Sequence, residues 1–165
     1  MMDSGNIHIK YHSGIYTLLV KQELHLDLSE AWDFFSSPVN LAKITPQHMG
    51  FVITSDNVQK MYEGQIISYQ IGLLPGIKSK WVTEITHVKD FNYFVDEQRF
   101  GPYRMWHHEH HFVETKNGVL MTDRVSYKIP GSILGRAMHK IFIKRQLEKI
   151  FTYRYEELNE LFNNQ

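Results

Sequence analysis

The spacing of apolar and polar residues changes along the chain, and each change marks a change in predicted secondary structure. Ile15–Leu26 alternates and is rich in β-branched and aromatic residues, which predicts a first strand. Asp27 can cap a short helix, because Glu30 stands three residues later, as in a capping box. Pro38 ends this helix, and a second short helix is predicted before Pro46.

After Pro46 the apolar period becomes two, which predicts a run of strands joined by short turns. These predicted strands are Phe51–Ser55, Gln65–Ile71, Lys78–Val88, Tyr93–Phe100, Met105–Glu114 and Val119–Lys128. The C-terminal part instead repeats apolar residues at intervals typical of one helical stripe: Ile133, Ala137, Ile141, Phe151, Leu158 and Phe162. Short turns favour antiparallel pairing of successive strands.

The predicted fold class is α+β, with a curved seven-stranded antiparallel sheet around a long C-terminal helix and two short helices after the first strand. The chain is interpreted as one ligand-binding domain over residues 1–165, with residues 1–14 irregular. A twisted sheet that curls around a single helix leaves a space between them, and such spaces are common ligand sites.

Composition narrows the classes of function. The formal net charge is zero, which argues against a nucleic-acid or anionic-membrane binder. The chain has no cysteine, so disulfides and thiol catalysis are excluded. No apolar run reaches the ~18 residues of a membrane helix, and the N-terminus has no secretory signature. We therefore expect a cytoplasmic protein without membrane insertion; the oligomeric state is not predicted.

Four histidines fall between residues 107 and 111, within the predicted strand Met105–Glu114. In a strand alternate side chains share a face. The face with the large apolar residues is expected to point inward; it carries Trp106, His108, His110 and Phe112. The other face, with His107, Glu109 and His111, is expected to face solvent. The zinc-protease pattern H-E-x-x-H is absent, because Phe112 occupies the place of its second histidine.

Asn117 and Gly118 predict a two-residue hairpin turn after this strand. A turn centred there pairs Phe112 with Asp123 and His110 with Val125. The next strand then presents its more apolar face inward: Met121, Asp123, Val125 and Tyr127. Asp123 is expected diagonally next to His110, roughly 5.5–7 Å away between backbones.

The two faces of Tyr93–Phe100 are not distinguished by hydrophobicity. If the face with Phe94 points inward, Asp96 and Gln98 join the histidines and Asp123. A buried aspartate requires a partner, and a histidine–aspartate pair would supply one.

The chain resembles the helix-grip fold of the SRPBCC superfamily, which includes START domains, birch-pollen allergens and polyketide cyclases. It is most similar to a bacterial branch often labelled "cell division inhibitor". The matching segments are FFSSPVNLAKITP, MYEGQIISY, LPGIKSKWVTEIT, FVDEQRFGPYRMWHHEHHF, MTDRVSYKIPGSILG and IFTYRYEEL, which together span nearly the whole chain. This resemblance implies a ligand cavity between sheet and terminal helix, and it does not imply a reaction.

The preferred interpretation is a protein that binds a small, largely apolar or aromatic molecule and needs no cofactor. The predicted ligand-binding residues are Trp81, Asp96, Gln98, Trp106, His108, His110, Phe112, Met121, Asp123 and Tyr127.

Four other interpretations stay open. One is a fully packed core in which the histidines satisfy one another. Another is a cyclase, dehydratase or hydrolase in which His110 is the general base, Asp123 orients it, and His108 or Gln98 stabilises an oxyanion. A third is a metal site formed by His108, His110 and Asp123. The last is an interaction protein that uses the outer face of the sheet.

Overall fold

One antiparallel sheet and one long helix make up most of the protein. The computed structural model describes residues 7–56, 60–74, 77–131 and 142–164. The strands are β1 (His8–His12), β2 (Ile15–Leu24), β3 (Val52–Ile53), β4 (Ile66–Leu74), β5 (Ile77–Lys89), β6 (Tyr93–Phe100), β7 (Met105–Thr115) and β8 (Gly118–Lys128). The helices are α1 (Leu28–Phe35) and α2 (Lys144–Phe162), and two 3-10 segments, Pro38–Ala42 and Gln47–Met49, follow α1.

The strands form an open sheet in the order β1-β2-β8-β7-β6-β5-β4-β3, and every neighbouring pair is antiparallel. This confirms the predicted α+β helix-grip class. Among the described residues, no helix combines the length and apolar character that crossing a membrane requires.

The sheet has eight strands rather than the predicted seven, because residues 8–12 form an edge strand instead of an irregular segment. Ser13 and Gly14 make the connecting turn with φ values of 51° and 87°. Two successive residues at positive φ are typical of the tight hairpin turns that match strand twist. The strand β1 is short and mostly exposed, so its sequence shows little of the apolar alternation that predicts a strand.

The start of α1 is as predicted. Asp27 and Glu30 form the capping box, with the backbone N–H of Asp27 donating to Glu30 Oε2 at 3.4 Å. On its inner side α1 buries Trp32 and Phe35. Trp32 contacts Phe112 of β7 edge to face, with the ring centroids 5.8 Å apart, so α1 covers one end of the inner sheet face.

The register of the β7–β8 hairpin differs from the prediction by two residues. Phe112 pairs with Met121 and His110 pairs directly with Asp123. The reason lies at Gly118, which belongs to β8 and has a φ of 144°. A Cβ at this position would collide with the carbonyl oxygen of Leu24 on β2. Glycine is therefore required for close packing of two strands, and the turn lies one residue earlier. A shift of two residues keeps each side chain on its predicted face.

The helix α2 lies against the inner face and is attached to β2 at its C-terminal half. Gln22 Nε2 donates to the carbonyl oxygen of Tyr155 at 2.9 Å, and Asn163 Nδ2 donates to that of Glu23 at 3.0 Å. The buried residues of α2 are Leu147, Phe151, Arg154 and Leu158. The predicted stripe positions Ile133, Ala137 and Ile141 lie outside the described residues.

Candidate functional site

A cavity of about 160 Å³ lies between α2, the inner faces of β4–β7, and the segment that follows α1. Most of its wall is apolar and includes Phe35, Ile44, Met49, Ile67, Trp81, Ile85, Trp106 and Phe151. The charged or titratable groups on the wall include Asp96, His108, His110 and Arg154. A mostly apolar space with a few polar groups is typical of small-molecule sites.

Alternation along three neighbouring strands brings these polar groups together. His108 and His110 share the inner face of β7, and both are less than a tenth exposed. Asp96 pairs with His108 across β6–β7, while Asp123 pairs with His110 across β7–β8. One carboxyl group therefore flanks the two imidazoles on each side, and cross-strand neighbours are close enough to interact.

Each carboxyl group contacts both imidazoles. Asp96 Oδ2 accepts a hydrogen bond from His110 Nε2 at 2.9 Å and lies 3.5 Å from His108 Nδ1. Asp123 Oδ1 accepts from His108 Nε2 at 3.0 Å. It also lies 2.8 Å from His110 Nδ1, although the alignment is not that of a hydrogen bond. The two rings stand 3.7 Å apart between centroids.

Burial and neighbouring charges shift the pKa values of this cluster in different directions. Burial would raise the pKa of Asp123, but the polar contacts with His108 and His110 hold it well below its ordinary value. Burial, together with the charge of His110, lowers the pKa of His108. Burial would also lower the pKa of His110, but the polar contacts and charges of Asp123 and Asp96 raise it. Of the two rings, His110 therefore keeps its proton to a higher pH than His108 does.

Arg154 of α2 contributes a positive charge next to Asp123. Its Nη1 lies 3.8 Å from Asp123 Oδ2, its guanidinium stands over the Phe151 ring at 5.0 Å, and the residue is 8% exposed. The guanidinium of Arg154 thus places a positive charge beside the Asp123 carboxylate. Arg154 Nε has no hydrogen-bond partner among the described residues, which is uncommon for a buried donor.

The ten predicted site residues separate into four groups. Trp81, Asp96, Trp106, His108 and His110 line the cavity. Phe112, Met121 and Tyr127 are packed in the apolar core rather than on the cavity wall, and Asp123 lies behind the two histidines.

Gln98 does not line the cavity itself but holds the loop that contains Tyr103, a residue of the cavity wall. Its Nε2 donates to the carbonyl oxygen of Tyr103 at 2.6 Å, and its Oε1 accepts from the Tyr103 backbone N–H at 3.2 Å. Tyr103 lines the cavity, so Gln98 positions the loop that carries it. Both polar ends of the Gln98 side chain are engaged by this loop, and Gln98 is not among the residues that line the cavity.

Sequence reasoning did not identify Arg154 as a residue of the site. The spacing of Arg154 from the apolar residues of α2 indicates that its side chain is buried. Arg154 follows Leu147 and Phe151 by seven and three residues and precedes Leu158 by four, so it lies on the buried stripe of α2. Tyr69 and Thr83 were also missed; their hydroxyl oxygens are 3.0 Å apart, and both residues line the cavity.

The arrangement can hold a cation or exchange a proton. Asp96, His108 and His110 present ligand atoms that all lie within 4.8 Å of one another. For proton transfer, the role of base falls more readily to His108, whose pKa is lowered by burial and by the charge of His110, than to His110, whose pKa is raised. The catalytic roles assigned to His110 and Asp123 stay predictions.

The outer histidines form a separate set. His107 Nδ1 lies 2.7 Å from Glu97 Oε1, and His111 Nε2 lies 3.0 Å from Glu109 Oε2. The side chains of His107 and His111 are 33% and 39% exposed, as expected for the solvent face of β7.

Comparisons with known proteins establish the fold. No protein-family model matches the chain, and no curated protein matches it significantly in sequence. Solved structures match over most of its length. Ms6760 from Mycobacterium smegmatis is 14% identical with a TM-score of 0.65, covering 94% of this chain and 96% of its own. TTHA0849 from Thermus thermophilus is 12% identical with a TM-score of 0.67, covering 87% and 94%.

Ara h 8.0201 is 13% identical with a TM-score of 0.57, covering 89% of this chain and 99% of its own. Identities at this level carry no function from one protein to another. What they show is that the chain has the helix-grip fold found in birch-pollen-type and SRPBCC-type proteins.

Proposed function

We propose that this protein binds a small apolar or aromatic molecule in the cavity beneath α2, with a carbonyl or carboxylate oxygen of the molecule turned toward Arg154. The observation that carries the proposal is a mostly apolar cavity whose wall includes a buried arginine with an unpaired Nε donor among the described residues. Arg154 also borders a smaller cavity beside Asp123, and a rotation of its side chain would bring Nε to a ligand oxygen, which would give that donor the partner it lacks.

The size of the cavity limits the ligand. Its volume is about 160 Å³, and an apolar cavity of roughly 150 Å³ holds benzene. The proposed ligand therefore has about one ring, or a comparable aliphatic body, unless side chains move on binding. Trp81 and Trp106 supply flat apolar walls, with ring centroids 5.3 Å apart and planes at 90°.

The polar end of the cavity is expected to favour a ligand that carries a hydrogen-bond acceptor. Among the described residues Arg154 Nε is a buried donor without a hydrogen-bond partner, and it belongs to a residue of the cavity wall. A ligand without an acceptor leaves this donor unpaired, whereas a carbonyl oxygen satisfies it. Loss of such a contact in a buried site weakens binding by about tenfold or more.

Binding can be tested by NMR chemical-shift titration with acetophenone. Indole N–H signals of Trp81 and Trp106 are expected to move, while that of Trp32, which does not line the cavity, stays in place. Ile67→Phe fills part of the cavity and should weaken binding. Leu18→Phe, which enlarges a buried residue away from the cavity, should not. Binding that is unaffected by Ile67→Phe would contradict the proposed location.

A further inference from the structure

The geometry points to a divalent metal site on the cavity wall, formed by Asp96 Oδ2, His108 Nδ1 and His110 Nε2. It lies in the cavity proposed for ligand binding but stands on separate observations. These three atoms are mutually within 4.8 Å, and all three residues line the cavity. Two histidines and one carboxylate with an open position form a common set of ligands for catalytic zinc.

The distances suit a metal ion. Ligand atoms of a tetrahedral Zn²⁺ site with bonds of ~2.1 Å lie roughly 3.4 Å from one another. Asp96 Oδ2 lies 2.9 Å from His110 Nε2 and 3.5 Å from His108 Nδ1. Small side-chain rotations would therefore bring the three atoms to coordinating distance. An ion would take the place of the proton between His110 and Asp96.

Asp123 supplies the second carboxylate that such a site needs. The other nitrogen of each histidine, Nε2 of His108 and Nδ1 of His110, lies 3.0 and 2.8 Å from Asp123 Oδ1. Metal-bound histidines almost always donate their other N–H to a carboxylate or carbonyl, which sets the ring orientation. Asp123 already accepts from His108, and a small rotation of the His110 ring would align its Nδ1–H with the same carboxylate.

This assignment differs from the metal site considered from sequence, in which Asp123 was the third ligand. The structure places Asp123 behind the rings, away from the cavity, and places Asp96 on the cavity side. Arg154 lies beside Asp123 and also lines the cavity, from which a water molecule or a ligand oxygen would complete the coordination of the ion. A first-row divalent ion with nitrogen and oxygen preference, such as Zn²⁺, fits these donors.

Isothermal titration of the untagged, chelator-treated full chain with Zn²⁺ tests the site. We expect one ion per chain with roughly micromolar or tighter affinity. Asp96→Ala and His108→Ala should each weaken binding by more than about 100-fold, and Asp123→Asn should weaken it by about 10–100-fold. The matched control is His107→Ala plus His111→Ala on the outer face of the same strand, which should leave the affinity unchanged.

A measurement on the unaltered chain avoids dependence on variants that fail to fold. Zinc K-edge X-ray absorption should show two imidazole nitrogens and at least one oxygen around the ion. Absence of stoichiometric Zn²⁺ binding would overturn the inference, as would binding abolished by the outer-face control. Acetophenone binding without Zn²⁺ binding would refute this site alone, and Zn²⁺ binding without acetophenone binding would refute only the proposed function.

Discussion

Arg154 of α2 and Asp123 of β8 form an ion pair between the helix and the centre of the sheet. Arg154 Nη1 lies 3.8 Å from Asp123 Oδ2, and both residues are less than a tenth exposed. The other oxygen of the same carboxyl accepts a hydrogen bond from His108. Asp123 thus links the position of α2 to the polar wall of the cavity.

Arg154→Met is expected to lower the free energy of unfolding by about 3 kcal/mol, because it leaves the buried Asp123 carboxylate without its cationic partner on α2. Arg145→Met removes an exposed arginine from the same helix and should change it by less than about 0.5 kcal/mol. Urea unfolding followed by circular dichroism measures both. Equal effects of the two substitutions would show that the ion pair contributes no stability.

A larger side chain should be tolerated on the cavity wall but not in the packed core. Ile67 lines the cavity, whereas Leu18 is fully buried in a packed cluster with Val125 and Phe151. Leu18→Phe is expected to cost about 1–3 kcal/mol, since extra atoms strain a filled core. Ile67→Phe should cost less than about 1 kcal/mol. Comparable losses in urea unfolding would indicate that the space beneath α2 is filled.

Because Tyr127 is buried, we expect the free energy of unfolding to fall as the pH rises into the alkaline range. It is fully buried, and burial raises the pKa of its phenol, with Tyr103 and Tyr16 adding to the shift. Its contribution is complete below the unfolded pKa of about 10 and is lost as pH rises toward the folded pKa.

The free-energy difference between the wild-type chain and Tyr127→Phe should therefore shrink above about pH 10, by up to about 1.4 kcal/mol per pH unit. Tyr62→Phe, at a residue 62% exposed, is the control and should show no such trend. Urea unfolding at about pH 8 to 11 measures this. A difference that is constant across the range would contradict the burial of this phenol.

Gly118→Ala should destabilise the protein more than Gly64→Ala. Both glycines have positive φ, so alanine is strained at each by about 1–2 kcal/mol. Space is open around Gly64, whereas a Cβ on Gly118 meets the backbone of Leu24. Thermal unfolding compares the two. Equal losses would show that β2 and β8 can separate at this point without cost.

The inner face of the sheet was predictable because strand side chains alternate strictly. Placing His108, His110 and Asp123 on one face needed only their parity, and that parity survived the error of two residues in the β7–β8 register. The register itself was not predictable from Asn117 and Gly118, because the need for glycine comes from β2, a strand distant in sequence.

Asp96 and Arg154 show where the sequence pattern was insufficient. Both faces of β6 carry apolar and charged residues, and Phe94 and Val95 are both buried, so hydrophobicity did not distinguish the faces. Arg154 is a charged residue on an apolar helical stripe, and its burial depends on Asp123 in another element. Pairing between distant residues decides such positions, and a single sequence does not display it.

The proposed function requires that Arg154 Nε, which has no hydrogen-bond partner among the described residues, recognises a ligand oxygen inside an apolar cavity. The most direct measurement is the ratio of the affinities for acetophenone and ethylbenzene, which differ in a single carbonyl group, in the wild-type chain, Arg154→Met and Arg145→Met. We predict a preference for acetophenone of about tenfold in the wild-type chain and Arg145→Met, falling to about one in Arg154→Met. Equal affinities in the wild-type chain, or a preference that survives Arg154→Met, would contradict the account.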